Sequence, residues 1–176
     1  MSLGRDFHPL RIAVLTVSDS RSMLTDKSGS LLVERIQSSG HILADRALVL
    51  DEVEDIQKQV KNWISTSALD VIITTGGTGL TGRDITPDAL KPIFEKIIEG
   101  FSIVFHMISY RNIGTSTIQS RAMAGTAGGK LIFCLPGSPG ACKDAWDEIL
   151  AAQLDYRHAP CNFAEILPRL SEHKRQ

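Results

Sequence analysis

Short apolar runs alternate with longer amphipathic segments along this chain of 176 residues. Residues 11–17 (RIAVLTV), 71–75 (VIITT) and 131–135 (LIFCL) are nearly continuous in apolar and β-branched side chains, as is typical of strands buried on both faces. Residues 41–50 form a fourth candidate strand. Since strands that alternate with helices build α/β domains, the pattern predicts a mostly parallel sheet with helices on both faces.

The amphipathic segments predict the helices. Residues 28–39 form the first, and Gly40 follows its C-terminal end. Thr86 and Pro87 are typical of the N-cap and the first position of a later helix. Helical spacing places apolar residues on one face of three further segments: Ile56, Val60, Trp63 and Ile64; Leu90, Ile93, Phe94, Ile97 and Ile98; and Cys142, Ala145, Trp146, Ile149 and Leu150.

Two segments leave alternatives open. Residues 101–110 are predicted to be helical, and so many apolar residues around one helix leave a surplus that we expect at a subunit interface. A helix wholly buried within the monomer is the alternative. Residues 117–126 fit either a helix or an extended segment, but the Gly128-Gly129 pair favours a hairpin in which they run antiparallel to residues 131–135.

Composition excludes several classes of function. Lys and Arg total 19 against 20 Asp and Glu, so the chain lacks the basic excess of nucleic-acid and anionic-membrane surfaces. Its three cysteines include no C-x-x-C pair and its histidines no H-E-x-x-H spacing, which argues against a disulfide framework and a zinc site. No apolar run approaches the ~18 residues of a membrane span. The N-terminal residues lack the apolar stretch of a signal peptide, so the expected compartment is the cytoplasm.

Glycine, hydroxyl and carboxylate residues follow the predicted strands, where parallel α/β sheets bind ligands. The strongest feature is the run of Gly76, Gly77, Thr78 and Gly79, preceded by Thr75. Its glycines allow backbone N–H groups to approach a phosphate closely, aided by the two threonine hydroxyls. The run matches neither a Walker A motif nor a G-x-G-x-x-G fingerprint. A tight strand-to-helix connection is the alternative interpretation.

Two carboxylates accompany this loop. Asp84 ends it, and Asp51 follows another predicted strand. A carboxylate beside a phosphate site is poorly placed unless a cation lies between them, and Mg²⁺ is typically held by one or two carboxylates together with phosphate oxygens. The pair therefore favours Mg-nucleotide chemistry, although a loop or turn role remains open for each residue.

Other polar residues add anion-binding candidates. Ser18 follows the first strand, and Gly137 and Ser138 follow residues 131–135. Ser138 can present its hydroxyl and backbone donors at a helix N-terminus, or its segment can serve only as a rigid turn. Arg121 can bind an anion through two parallel hydrogen bonds, or be an ordinary surface arginine. No G-x-S-x-G elbow of a serine hydrolase occurs.

Five segments, in this order along the chain, resemble the family of molybdenum cofactor biosynthesis protein B and molybdopterin adenylyltransferase, which is related to the gephyrin G domain: LTVSDS, DKSG, TTGGTGLTGRDITPDA, STIQSRAMAG and LPGSP. The resemblance covers residues 10–160, and GTSTIQSRAMAG and APCNF are more similar to the protein B branch. It implies a doubly wound, three-layer α/β/α fold and a homotrimer or a dimer of trimers. It also implies one molybdopterin-binding domain over residues 10–165, with terminal extensions 1–9 and 166–176.

The resemblance further implies an activity. The family's adenylyltransferases join the terminal phosphate of molybdopterin to AMP from ATP, with Mg²⁺ present and pyrophosphate released. The family's functional aspartates fall on Asp51 and Asp84, its pterin-side serine falls on Ser120 beside Arg121, and TGGTG and LPGSP match its nucleotide and phosphate loops. Molybdopterin, ATP and other cofactor-assembly proteins are the implied partners. A non-catalytic molybdopterin carrier and a nucleotide pyrophosphatase of similar fold are the alternatives.

Overall fold

Six strands form one mixed sheet in the computed structural model of the chain, which describes residues 4–172. They are β1 (Arg11–Val17), β2 (Ile42–Val49), β3 (Val71–Thr75), β4 (Lys96–Ile97), β5 (Met123–Ala127) and β6 (Lys130–Leu135). The order across the sheet is β2-β1-β3-β6-β5-β4. The first four strands in this order are parallel, whereas β5 is antiparallel to both of its neighbours. The predicted mostly parallel sheet is confirmed.

Helices connect these strands and follow the last of them. They are α1 (Lys27–Ser38), α2 (Val53–Ser65), α3 (Thr86–Leu90), α4 (Glu99–Ile113), α5 (Pro139–Ala145), α6 (Ala151–Gln153) and α7 (Phe163–Ile166). A π-helical segment, Trp146–Leu150, joins α5 to α6, so the predicted C-terminal helix is present with a local widening. Within residues 4–172, no helix is both long and apolar enough to cross a membrane.

Apolar side chains are buried against both faces of the sheet. One layer packs α1, α4 and the helix after β6 against the sheet, and the other packs α2 and α3 against its opposite face. Successive residues of β1 alternate between them, with Ile12 and Val14 in the first layer and Ala13 and Leu15 in the second. A strand covered on both faces needs apolar side chains at every position. The doubly wound, three-layer α/β/α architecture is confirmed.

The helix predicted to begin near Thr86 is much shorter than expected. α3 ends at Leu90, the 3₁₀ turn Lys91–Ile93 follows, and Ile97 belongs to β4, which pairs with β5. The prediction of one long helix was wrong because Pro92 lacks an N–H, and in an α-helix its ring would crowd the carbonyl four residues earlier. The helix N-cap is residue 85, so the expectation that the threonine caps it was also wrong.

Residues 117–126 contain both of the structures considered for them. The 3₁₀ helix Gly114–Gln119 covers the first part, and β5 covers the second, antiparallel to β6 as predicted. Gly128 and Gly129 form the hairpin turn with φ of 58° and 77°, the sign that a two-residue type I′ turn requires at both positions. The extended prediction is therefore right for β5 and wrong for residues 117–119.

The remaining predicted strands and helices are confirmed, with small shifts at their ends. Of the predicted terminal extensions, residues 1–3 and 173–176 lie outside the described residues. Inside the C-terminal extension, the 3₁₀ turn Leu167–Arg169 follows α7, and Leu167 and Leu170 pack against the layer that contains α1 and α4.

Candidate functional site

The loops that follow β1, β2, β3 and β6 meet at one edge of the sheet and border a cavity of about 600 Å³. This is the edge at which open parallel sheets bind ligands. The predicted site residues that line the cavity are Ser18, Asp51, Thr75, Gly76, Gly77, Asp84 and Gly137, whereas Thr78, Gly79, Ser120, Arg121 and Ser138 do not. The structure therefore gathers residues from all four strand ends into one place.

Gly76 lets three of these loops approach one another. Its φ is 103°, and a Cβ atom built on it would lie 2.2 Å from the carbonyl oxygen of Val17 at the end of β1. A Cβ atom on Gly137 would in turn lie 3.2 Å from the Cα atom of Gly76. The Gly76 N–H donates to the carbonyl of Leu135, 3.1 Å away. Gly76 thus allows the ends of β1, β3 and β6 to pack closely together. Its own amide donates to the end of β6 and is not free for a ligand.

The next two backbone amides are not engaged by the protein, since the N–H groups of Gly77 and Thr78 donate to no other described residue. Gly77 lines the cavity with a φ of 64°, whereas Thr78 is buried and does not line it. A Cβ atom at Gly77 would lie 2.4 Å from Thr86 Oγ1 and 3.0 Å from Asp51 Oδ1. Among residues 76–79, which are predicted to bind phosphate, Gly77 therefore has the amide that is both unengaged and at the cavity, and only glycine leaves this approach open.

The predicted hydroxyl ligands hold the loops in place. Thr75 Oγ1 donates to the carbonyl of Pro136, 2.9 Å away, which ties the end of β3 to the loop after β6. Ser18 Oγ accepts hydrogen bonds from the backbone of residues 20 and 21 and closes the turn after β1. Ser138 Oγ accepts from Ala141 N and is the N-cap of α5. These bonds support the structural interpretation that the sequence left open for the segment around Ser138.

Asp51 and Asp84 differ in their surroundings. Burial, followed by the negative charge of Asp19, raises the pKa of Asp51 above its ordinary value. Asp84 accepts hydrogen bonds from the hydroxyl of Thr81 at 2.6 Å and from the amide of Thr81 at 2.9 Å. The hydroxyl bond is the largest cause of the lowered pKa of Asp84, and a bond from the Gly79 amide adds to it. Asp84 therefore fixes the shape of residues 76–84, which we call the glycine loop, and it also lines the cavity.

These pKa shifts predict opposite effects on stability in the absence of metal. Because the pKa of Asp51 is raised, the folded state disfavours its ionised form, and this penalty applies above the folded-state pKa. Because the pKa of Asp84 is lowered, its ionised form stabilises the folded state above the unfolded pKa of ~3.9, and this stability is lost as pH falls through the folded-state pKa. At pH 7, Asp51→Asn should raise Tm and Asp84→Asn should lower it. Thermal melts at pH 7 and in acid test this prediction, because both changes in Tm should vanish in acid. A lower Tm for Asp51→Asn and a higher Tm for Asp84→Asn at pH 7 would contradict it.

Three cationic side chains line the cavity: Arg21, Lys27 and Arg83. Those of Arg21 and Lys27 bind no described residue. Arg83 is held by two carboxylates that follow other strands, with Nε and Nη2 donating to both oxygens of Asp19 and Nη1 donating to Glu52, each at 2.9 Å. Sequence reasoning assigned no role to these cations. The signal for Arg83 was its position directly before Asp84, since both belong to one loop.

Arg121 supports the glycine loop from outside the cavity. Its Nε donates to the carbonyl of Gly79 at 2.9 Å, Nη1 donates to Asp88 at 2.9 Å, and Nη2 contacts the carbonyl of Asp84. The neighbouring Ser120 Oγ accepts from the amide of Ala122. In this conformation the guanidinium is engaged by the protein, so pterin binding by Ser120 and Arg121 remains a prediction.

Asp26 is a buried carboxylate that sequence reasoning did not assign to the site, although the DKSG segment begins with it. It is 3% exposed and accepts hydrogen bonds from Thr16 Oγ1 at 2.6 Å, Arg46 Nη2 at 3.0 Å and Gly29 N at 2.9 Å. These bonds join β1, β2 and the first turn of α1. Because a buried charge is stable only when paired and hydrogen-bonded, we assign Asp26 to holding the helix at the cavity wall.

The oxygen atoms around the cavity fit a hard cation such as Mg²⁺. Asp51 and Asp84 supply carboxylates, and Thr86 Oγ1, beside Gly77, is a fully buried hydroxyl without a hydrogen-bond partner in the described part of the chain. No group of three His, Cys, Asp or Glu side chains suited to a metal occurs among residues 4–172. This donor set agrees with Mg²⁺, which usually takes one or two carboxylates and completes its shell with waters and substrate phosphates.

A doubly wound sheet with a glycine loop, two carboxylates and a polar cavity at its carboxyl edge is typical of α/β proteins that bind phosphorylated ligands. The family model described as "Probable molybdopterin binding domain" matches residues 13–156. The chain belongs to this family.

Individual relatives are similar over almost their whole length. The molybdenum cofactor biosynthesis protein B of Escherichia coli (strain K12) is 49% identical over 161 residues, which are 92% of this chain and 95% of the relative. The protein of the same name from Staphylococcus aureus (strain Mu50 / ATCC 700699) is 44% identical over 150 residues, 84% of this chain and 89% of the relative. A crystal structure of a molybdenum cofactor biosynthesis protein B superposes with a TM-score of 0.85 at 37% identity, covering 98% of this chain and 100% of the other. The family resemblance inferred from the motifs is confirmed.

Proposed function

We propose that this protein acts in molybdenum cofactor biosynthesis and that it adenylylates molybdopterin with Mg-ATP, releasing pyrophosphate. The role in the pathway rests on membership of the molybdopterin-binding family. The reaction rests mainly on one observation: two carboxylates and the unengaged amide of Gly77 line the same cavity at the edge of the sheet. This arrangement suits a metal-bound polyphosphate.

The proposed reaction joins the terminal phosphate of molybdopterin to the α-phosphorus of ATP while the bond to the pyrophosphate oxygen breaks. Bound Mg²⁺ would neutralise charge on the phosphates, with Asp51 and Asp84 as its protein ligands. The amide of Gly77 would orient the polyphosphate, and Arg21 and Lys27 would add positive charge. Such a transfer depends on positioning and electrostatics and needs no side-chain nucleophile, which agrees with the absence of a G-x-S-x-G elbow.

The decisive experiment incubates the purified protein with molybdopterin, ATP and Mg²⁺ and follows pyrophosphate. We expect release of one pyrophosphate for each molybdopterin adenylylated, and none without molybdopterin. A nucleotide pyrophosphatase would instead cleave ATP or ADP-ribose without the pterin. Binding of molybdopterin with no pyrophosphate under any condition would establish the other alternative, a non-catalytic carrier.

A non-catalytic carrier is the alternative function, and it would use the same pterin site. In either function, the guanidinium of Arg121, which is engaged by Gly79, Asp84 and Asp88, would have to exchange these partners to neutralise a pterin phosphate. A carrier would also be expected to contact the other cofactor-assembly proteins of the pathway. The pyrophosphate assay separates the two functions whichever residues hold the pterin.

We also propose that the protein assembles as a homotrimer or a dimer of trimers through α4. Phe101 and Phe105 on this helix are buried in the core, whereas Ile103, Met107 and Tyr110 are 61%, 65% and 58% exposed. These three residues form the apolar face of α4, which borders a groove of about 710 Å³. An exposed apolar face of this kind is typical of an interaction surface.

We predict that the apolar face of α4 holds the oligomer together. In sedimentation experiments at micromolar concentration, the wild type should be an oligomer and Met107→Lys should dissociate, because a lysine ammonium is costly to bury unpaired in an apolar interface. Leu24→Lys is the control, since Leu24 is 98% exposed and lies outside α4. A stable wild-type monomer would contradict the proposed interface.

A further inference from the structure

Arg83 joins three of the loops that border the cavity. It lies in the loop after β3, Asp19 in the loop after β1, and Glu52 in the loop after β2. The guanidinium makes a two-pronged pair with Asp19 and a third bond to Glu52 from its remaining terminal nitrogen, all at 2.9 Å. Three of the five N–H donors of the guanidinium are thus bonded to carboxylate oxygens.

These ion pairs are easily exchanged. The side chains of Arg83, Asp19 and Glu52 are 57%, 42% and 55% exposed, and ion pairs so open to water contribute little net stability. A phosphate group carries at least as much negative charge as a carboxylate and accepts the same two parallel hydrogen bonds from a guanidinium. A polyphosphate in the cavity is therefore a strong competitor for Arg83.

Charge balance in the cavity favours the exchange. Asp26, Asp51 and Asp84 line the cavity, Asp19 is adjacent, and Asp26 is paired with Arg46. Among the cations that line the cavity, Arg21 and Lys27 bind no other described residue. A polyphosphate entering this site adds several negative charges. Recruiting a third cation from the rim reduces the repulsion at close range, where Coulomb energies are largest.

We propose that Arg83 is a polyphosphate-binding residue that exchanges Asp19 and Glu52 for phosphate oxygens when the nucleotide binds. This inference rests on the proposed use of ATP. Asp19 keeps one anchor after the exchange, since its Oδ1 also accepts from the amide of Asp51 at 3.1 Å. The loop after β3 then loses its ion pairs with the loops after β1 and β2, while Arg121 continues to hold it from outside the cavity.

The proposed exchange predicts that mutations of Arg83 and Asp19, which contact each other, change pyrophosphate affinity in opposite directions. With inorganic pyrophosphate and Mg²⁺ in a calorimetric titration, Arg83→Gln should weaken binding by about 10-fold or more, because a charge-assisted pair with phosphate is lost. Asp19→Asn should tighten binding by about 3-fold, because it removes the competing charge but keeps an oxygen that can accept from the Asp51 amide. The gain from Asp19→Asn should disappear in the double variant with Arg83→Gln.

Three other results would overturn the proposed exchange of partners by Arg83. If Asp19→Asn weakened binding as much as Arg83→Gln, the pair would be a fixed tie between loops. If Asp19→Asn tightened binding equally in both backgrounds, Asp19 would act only by repulsion. Failure of the wild type to bind pyrophosphate would also reject the inference. Because pyrophosphate is the probe, none of these results depends on whether molybdopterin is adenylylated.

A matched control is available outside the cavity. Arg35 on α1 makes a similar two-pronged pair with Asp147, at 2.9 Å and 3.3 Å, and neither residue borders the cavity. Arg35→Gln should leave pyrophosphate affinity unchanged. All variants should melt within a few degrees of the wild type, since the exposed pairs contribute little to stability.

Discussion

Asp84→Asn is expected to lower the rate of ATP-dependent adenylylation of molybdopterin by at least about 100-fold, the effect typical of losing one preorganised charge at a reaction centre. Asparagine is nearly isosteric, and its carbonyl oxygen can still accept from the backbone and hydroxyl of Thr81. The substitution therefore removes the charge that would hold Mg²⁺ while leaving the acceptor that shapes the glycine loop. Pyrophosphate release in a steady-state assay measures the loss.

Asp51→Asn should lower the rate of adenylylation by a similar factor. Any change in its stability would have a different cause from that in Asp84→Asn. The side chain of Asp51 lines the cavity, and its own backbone amide is anchored by Asp19, so the variant should fold normally. Titration of ATP with and without Mg²⁺ should show that chelation weakens binding in the wild type and has much less effect in either variant. This follows because two carboxylates and a polyphosphate repel one another unless a cation lies between them.

Asp55→Asn provides a control for these two variants, because it removes a carboxylate from the first turn of α2, away from the cavity. Its activity should equal that of the wild type. Equal ATP affinity with and without Mg²⁺ in the wild type, Asp51→Asn and Asp84→Asn would show that the two carboxylates share no metal–phosphate site.

The sequence was sufficient to predict the sheet because its signal is local. A strand buried on both faces must be apolar at every position, and β1, β3 and β6 meet that condition except at their threonines and at the first residues of two of them, Arg11 in β1 and Lys130 in β6. The location of the site followed from the same strands, since polar residues after parallel strands converge at one edge. Asp51, Asp84 and Gly77, which line the cavity, could be placed at this edge in this way.

The roles that escaped prediction depend on contacts between distant parts of the chain. Arg83 and Asp19 are 64 residues apart, and Arg121 and Gly79 are 42 residues apart. Nothing in the local pattern distinguishes an arginine that faces the cavity from one that supports its loop from outside. The direction of a guanidinium is decided by which acceptors the fold brings within reach, so only the structure separates Arg83 from Arg121.

The failed helix prediction has a simpler cause. Residues 90–98 have apolar side chains at helical spacing, but the same residues include Pro92, and a single proline outweighs the periodicity because it removes a hydrogen bond and adds a clash. The chain after α3 therefore turns and adds β4 to the edge of the sheet.

Gly76→Ala is expected to be the most destabilising single-methyl change at the site. The alanine Cβ would lie 2.2 Å from the carbonyl oxygen of Val17, and neither group can move without shifting β1 or β3, both of which are buried. The φ of 103° adds strain for any side chain. Strain of this kind and overpacking each cost about 1–3 kcal/mol, so a total of about 2–6 kcal/mol follows. For a domain of this size Tm should fall by about 10 °C.

Gly82→Ala is the matched control, because Gly82 lies in the same loop. A Cβ atom there meets nothing within 4 Å, and its φ is not in the left-handed region. The control should melt within about 2 °C of the wild type, since surface substitutions away from special features change stability by about 0.5 kcal/mol or less. Calorimetric melts of the two variants compare them directly. If Gly76→Ala had the same Tm as the control, the close approach of the ends of β1 and β3 at Gly76 would not be a feature of the folded protein. The proposed phosphate-binding site next to Gly76 would then have to be abandoned.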